Sequence, residues 1–403
     1  MRTAFIAASF LGVVLYGIVL ASWGHDWDYS QPLTFMIGFP TGKDFINLYA
    51  GGQIVSQSLD IKLLFSIEPY AKYLTELFNT NVHNYHYVWS YPPTMLLPAR
   101  LFAGLPYLPA FALWSSVTLA IFLGGLYLAG LRGWWLLAAL LAPATAVNLF
   151  FGQYGYLLAG LLIGGLSLRD SRPILAGILL GLATIKPQLG LLLPILLLAQ
   201  RQWWVIAAAS ATALVLLGLS LAVDGIEVWR QFIDFTLPLQ RMFLEDGRGY
   251  FLYLTLTPFM AGKIVGVPLP ALYAVQIGLA LLCALGVYRM GRRGPPLRAV
   301  IFTFAATFIA TPYAMAYDLT LLVGAGLLLL AARPGWMNTP RRAFAFVALW
   351  LLPLVGLSQH LLLVAGAPLV IALFTWQVWR ADVDDLANRK PSESRNRHPD
   401  PLA

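Results

Sequence analysis

WVIAAASATALVLLGLSLA, residues 204–222, runs for 19 positions without a charged side chain. At about 1.5 Å per residue a helix of that length measures roughly 28 Å, close to the ~30 Å hydrocarbon core of a bilayer. Similar apolar runs recur at 4–22, 108–130, 135–151, 155–168, 173–185, 188–199, 269–288, 298–311, 317–332, 343–359 and 362–379. They predict an all-α polytopic membrane protein with about a dozen transmembrane or half-membrane helices. Four runs, 135–151, 155–168, 173–185 and 188–199, are short for a crossing and read as two hairpins with tips at Gly152-Gln153 and Lys186-Pro187.

Composition agrees. The 403 residues are 59% hydrophobic and 11% charged, whereas soluble domains carry about 25% charged residues. Trp134-Trp135 and Trp203-Trp204 stand at the starts of apolar runs, the headgroup level that amphipathic rings favour. The net charge of +8 is carried by basic residues in short loops, with no continuous stripe for nucleic acid. Arg132, Arg169 with Arg172, Arg201, the cluster Arg289 to Arg298, and Arg333 with Arg341 and Arg342 alternate with apolar runs. By the positive-inside rule both termini are cytoplasmic. Arg2 and the run after it resemble a secretory signal with an overlong core, read as an uncleaved first helix. The single cysteine, Cys283, excludes a disulfide within the chain and a cysteine metal site.

Residues 1–380 read as one integral membrane domain and 381–403 as a disordered cytoplasmic tail. Two polar stretches, 23–107 and 223–268, fall on the external side. In the first, the spacing of apolar residues predicts amphipathic surface helices over 45–58 and 68–78.

Ionisable groups inside apolar sequence are functional candidates. Asp44, in Gly42-Lys43-Asp44-Phe45, stands where a turn enters a helix. It reads either as a helix cap or as a general base whose pKa rises through partial desolvation. Lys186, followed by Pro187 at a helix break, is placed to hold an anionic headgroup or to snorkel to an interface. Gln153 forms the other tip. Asp318, after Tyr317 at the start of a later crossing, would position a sugar hydroxyl or cap a helix. Arg248, with Arg230, Arg241 and Lys263, adds cations to the second stretch, each read either as a phosphate contact or, as is commoner for loop arginines, as a solvated charge. His83 and His86 have a metal-compatible spacing but no acidic or cysteine partner nearby, so no metal site is expected. Nucleotide-binding and nucleophile-elbow motifs are absent.

Asp44-Phe45 with Tyr49-Ala50-Gly51-Gly52, then Tyr91-Pro92-Pro93 and Pro98, Gly152-Gln153, and Gly177 through Gly181 to Lys186-Pro187 follow the order of one family. Over roughly residues 40–330 the chain resembles glycosyltransferase family 87, which includes polyprenol-phosphate-mannose-dependent α-mannosyltransferases. The resemblance implies a GT-C membrane fold and an active site on the external face. It also implies transfer of a hexose from a polyprenyl-phosphate donor to a lipid or glycan acceptor, with no cofactor. By that resemblance Asp44 would be the catalytic base, and the expected site places Lys186 and Arg248 near the donor phosphate and Tyr49, Tyr91, Gln153, Tyr317 and Asp318 around the substrate. The chain departs from the pattern at Tyr317-Asp318, where histidine is expected, and at Asp246 to Tyr250. The rival reading of the same broken helices is a secondary transporter or flippase of lipid-linked sugars or other anions.

Overall fold

The computed structural model describes residue 14 and residues 35–36, 39–79, 87–247 and 249–387. The expected first crossing, the two histidines at 83 and 86, and Arg248 lie outside the described residues, as does the tail from 388 onward.

Among the described residues, apart from a two-residue antiparallel pairing of β1 (Phe35–Met36) with β2 (Phe39–Pro40) and a single bridge between Thr255 and Met315, the architecture is helical. Five helices among the described residues are long and apolar enough to cross a bilayer, or six if the pair bent by 46° at residues 141–142 is one span. The dozen crossings therefore resolve into spans and shorter pieces. In chain order these are α1 (Phe45–Ser56), α2 (Ile67–Phe78), α3 (Tyr107–Leu128), α4 (Trp134–Leu140) and α5 (Pro143–Phe151). α6 (Gly155–Leu168), α7 (Pro173–Leu182), α8 (Leu193–Ala199) and α9 (Trp203–Gln231) follow. The last are α10 (Leu269–Arg293), α11 (Pro296–Ala310), α12 (Thr320–Ala332), α13 (Pro340–Leu351) and α14 (Leu361–Ala387). α14 runs past Arg380, where the sequence placed the start of the tail.

Length and burial sort these helices into two layers. The short helices α6, α11 and α12 are buried on nearly every face, as expected of segments apolar all round that sit inside the protein. α9 and α10 instead turn Leu214, Val215, Ile277, Leu281 and Leu282 outward, the surface a lipid environment covers. Close approach inside the bundle depends on small residues. A Cβ on Gly177 or Gly181 of α7 would stand 2.4 or 2.5 Å from Ala208 or Thr212 of α9. α3 and α6 meet backbone to backbone, where a Cβ on Gly125 would lie 2.3 Å from the Gly160 carbonyl oxygen.

Both polar stretches differ from expectation. α2 is amphipathic, burying Tyr70, Leu74 and Phe78 while Lys72 and Glu76 pair on its open side. α1 is not a surface helix: Phe45 through Ile54 are all buried. Its glycines explain why, since Gly51 lies under the Trp89 ring and Gly52 against the Ala99 carbonyl, and a Cβ at either would meet those atoms at 2.4 and 2.2 Å. The stretch 223–268 is helical rather than a loop. α9 bends at Gly225 (φ 77°) and continues through a π-helical turn, Phe232–Thr236, into Leu237–Asp246. Short helices Gly249–Leu254 and Pro258–Ile264 complete it. The two stretches are tied by Arg100 to Asp224 at 2.6 Å, and by Gln240 donating to the Ser90 carbonyl at 2.7 Å.

Candidate active site at one end of the bundle

Four chain breaks converge on one place. The turn into α1 carries Asp44, the α5–α6 turn carries Gln153, the break between α7 and α8 carries Lys186, and the α11–α12 connection carries Asp318. Three of the breaks lie where helix-stopping residues put them: Gly42 (φ +65°) before Asp44, Gly152 (φ +65°) before Gln153 and Pro187 after Lys186. Backbone bonds lock the breaks together, with Asp44 N–H donating to the Phe151 carbonyl at 2.8 Å and Leu256 N–H to Ala314 at 3.1 Å. Tyr107 donates its hydroxyl to the Thr41 carbonyl at 2.7 Å and to Gly42 at 3.1 Å, and Trp114 donates to Gly152 at 3.0 Å.

Asp44 occupies the N-cap position of α1, yet its side chain makes no capping bond. Its Oδ2 instead accepts from Gln153 Nε2 at 2.7 Å, and the residue stays part-exposed. Burial in this dense surrounding pushes the carboxyl above the ordinary carboxylate range, against Lys43, the Gln153 bond and Lys186, which all pull it down. Burial likewise lowers the neighbouring Lys43 ammonium, opposed by Asp44. Lys43 and Asn148 are site residues that sequence reading did not assign. Asn148, a lone amide in apolar α5, donates to the Gln153 carbonyl at 2.9 Å and is buried. Its amide in that apolar run was the available signal.

Lys186 and Asp318 form one unit. Lys186 Nζ reaches both carboxylate oxygens, at 2.6 and 2.7 Å, with the side chains 3% and 0% exposed. The ammonium also lies 5.1 and 5.0 Å from the ring centres of Tyr154 and Tyr317, within cation–π range. Asp318 Oδ2 accepts the Met315 N–H at 2.9 Å. This carboxylate thus caps the turn Ala316–Leu319 while it pairs with Lys186. Lys186 is not a bare cation, because its charge is already met.

The tyrosines separate. Tyr91 donates to the Asp44 carbonyl at 3.1 Å and packs edge-on against Tyr154, so it braces the site. Tyr317 packs against Phe151 and donates to the Met315 sulfur. Tyr49 faces the aromatic core instead: its hydroxyl donates to the Leu105 carbonyl at 2.8 Å and its ring sits among Phe45, Phe78 and Tyr107. Cys283 packs as a small apolar residue against the core.

Gly152 tests the geometry. A Cβ there would come within 2.8 Å of Phe45 Cβ and 2.9 Å of the Phe111 ring, in a left-handed conformation that costs a non-glycine residue about 1–2 kcal/mol. Gly152→Ala is expected to lower the thermal midpoint in detergent and to cut activity through Gln153 and Asp44. An unchanged midpoint would mean that the turn relaxes freely.

The model of glycosyltransferase family 87 matches residues 89–316. No curated protein and no solved structure matches the chain. The matched span includes Tyr91, Gln153 and Lys186, and begins after Asp44.

Proposed function

The chain belongs to glycosyltransferase family 87, and on that premise we propose that this membrane glycosyltransferase moves a hexose, in first choice mannose, from a polyprenyl-phosphate donor. The acceptor is a hydroxyl of a lipid or glycan at the external face. Asp44 is the general base. The observation that carries this reading is a carboxylate at a helix N-cap that does not cap, held by Gln153, part-exposed and raised in pKa.

Gln153 engages Oδ2, and Oδ1 takes the proton of the acceptor hydroxyl. The acceptor oxygen then bonds the anomeric carbon as the bond from that carbon to the phosphate oxygen breaks, which inverts the centre. The phosphate leaves with the bonding electron pair as a competent anion, so charge stabilisation matters more than protonation. Lys186 supplies that charge by exchanging one oxyanion partner for another. Asp318 holds the ammonium while the site is empty, and the donor phosphate takes its place. The exchange keeps the ammonium paired throughout, while Asp318 falls back on the Met315 N–H and the phosphate contact offsets the cost of parting the buried pair.

The test uses purified protein in liposomes with radiolabelled polyprenyl-phosphate hexose and a membrane lipid extract. Transfer of label to a new lipid or glycan product supports the enzyme, and translocation of the donor without transfer supports the flippase reading. The sidedness is tested by placing a cysteine at the exposed Lys62 in a Cys283→Ala background. An impermeant thiol reagent is expected to label it in intact cells, because the arginine-rich short loops place residues 23–107 outside. Labelling only after lysis would overturn the topology.

A further inference from the structure

Far from Asp44 the molecule carries a second polar construction. α6 starts beside Gln153 and ends at Leu168, and its 14 residues put Arg169 roughly 21 Å along the axis. The run Pro187–Ala199, which ends in α8, and α11 connect the same two ends, with the 15 residues of α11 covering roughly 22 Å. At this far end a hollow of about 520 Å³ is lined by Arg169, Asp170, Gln200, Arg201, Gln202 and Arg292, among others. A second hollow, of about 530 Å³, shares Arg292 and is walled by Leu285, Tyr288, Arg289 and Arg293.

Five arginines thus face one aspartate. That aspartate is already engaged: Asp170 accepts from Gln202 Nε2 at 2.6 Å and lies 3.5 Å from Arg169. Arg169 is itself 7% exposed and fastened to Gln200 Oε1 at 3.1 Å and to the Leu166 carbonyl at 2.5 Å. Arg201 is held in the left-handed region, at φ 58°. Among the described residues, Arg201, Arg289, Arg292 and Arg293 make no ion pair. Cations in the last turn of α10 are favoured by the helix dipole. The same holds for Arg169 and Arg201 at the C-terminal ends of α6 and α8; what the dipoles leave open is the convergence of all these cations on shared hollows.

The neighbouring surface says what kind of anion fits. On α10, Ile277, Leu281 and Leu285 are 60, 66 and 46% exposed at successive turns, and the half-exposed Tyr288 follows. Spacing of three and four residues places them on one face, and that face leads into the arginines. A ligand with apolar chains along this stripe and a phosphate at its end matches both parts, whereas a soluble phosphate uses only one.

We propose that the hollows at the α6, α8 and α10 ends bind the phosphate headgroup of an anionic bilayer lipid, with its acyl chains along the exposed face of α10. The lipid would tie the outer α10 to the ends of the inner helices, on the side of the molecule opposite the sugar-transfer site.

The test is a native mass-spectrometry titration of the full-length, delipidated protein in detergent with dioleoyl phosphatidylglycerol and with dioleoyl phosphatidylcholine. Wild type is expected to bind the anionic lipid about tenfold or more tightly than the zwitterionic one. The double variant Arg201→Gln/Arg292→Gln is expected to lose that preference, since each cation near a headgroup contributes measurably. Arg132→Gln/Arg341→Gln removes the same charge from exposed positions outside the hollows, and is expected to keep it. Preference that survives the first pair, or falls equally with the second, would overturn the site in favour of diffuse charge. Displacement of the lipid by glycerol 3-phosphate at equal concentration would overturn the lipid reading in favour of a soluble phosphate.

Discussion

Asp44→Asn is expected to reduce sugar transfer by about 10² to 10⁴, the range general-base catalysis commonly supplies, while donor affinity stays near wild type. Asparagine keeps the size of the side chain and can still bond Gln153, so only basicity is lost. The alternative role predicts the opposite, because asparagine caps helices about as well as aspartate and the change would be nearly silent; the absence of a capping bond already disfavours that role. Stability offers an independent readout. A carboxyl whose pKa is raised by folding binds its proton more tightly in the folded state, so its effect on stability worsens as pH rises through the raised pKa. At neutral pH, Asp44→Asn should therefore leave the thermal midpoint unchanged or raise it while activity collapses. The same shift sets the pH profile of the wild type: transfer should fall on acidification at a pH above the ordinary carboxylate range, because the base must be ionised to act. A folded Asp44→Asn protein that turns over at close to the wild-type rate would remove Asp44 from the mechanism.

Lys186→Ala is expected to be the most damaging single change for a different reason. It leaves the Asp318 carboxylate, 0% exposed, without its counter-charge, and breaking a buried pair from one side costs about 3–5 kcal/mol. Loss of activity in that variant alone would not separate support of the fold from contact with the donor. Lys186→Met combined with Asp318→Asn does. Removing both charges together is expected to restore most of the thermal midpoint, while donor use stays depressed by about 10² or more, because a desolvated ammonium–phosphate contact is lost. Lys186→Arg should retain part of the activity. If the double variant transfers sugar like wild type, the pair is structural and the donor phosphate is held elsewhere.

Much of this was legible from hydropathy because a bilayer restricts spanning segments to lengths that can be counted. The ends of α3, α6 and α10 fall within a few residues of the apolar runs at 108–130, 155–168 and 269–288. Asp44, Gln153, Lys186 and Asp318 could be singled out one at a time, since a polar group in apolar sequence is costly and stands out. The same logic misjudged α1, whose alternation looked like a surface helix. Amphipathic spacing reports composition around an axis, and Trp89 and Ala99 closing over Gly51 and Gly52 leave no trace in it. It also took 223–268 for a loop, because polar residues such as Asp224, Arg230 and Glu245 can sit on a helix when Arg100, Glu227, Arg241 and Tyr273 answer them across space or one turn along.

The sequence by itself determined the solvent of this protein, the class of its fold and the few positions where chemistry was affordable, because each rests on local properties: run length, charge density and helix-breaking residues. Tertiary structure alone decided which of those positions act together. Asp44 meets Gln153 across 109 residues and Lys186 meets Asp318 across 132, distances at which no periodicity carries information. Packing chose the partners, and it set Lys186 and Asp318, two positions that stand apart in the sequence, in one ion pair near Asp44.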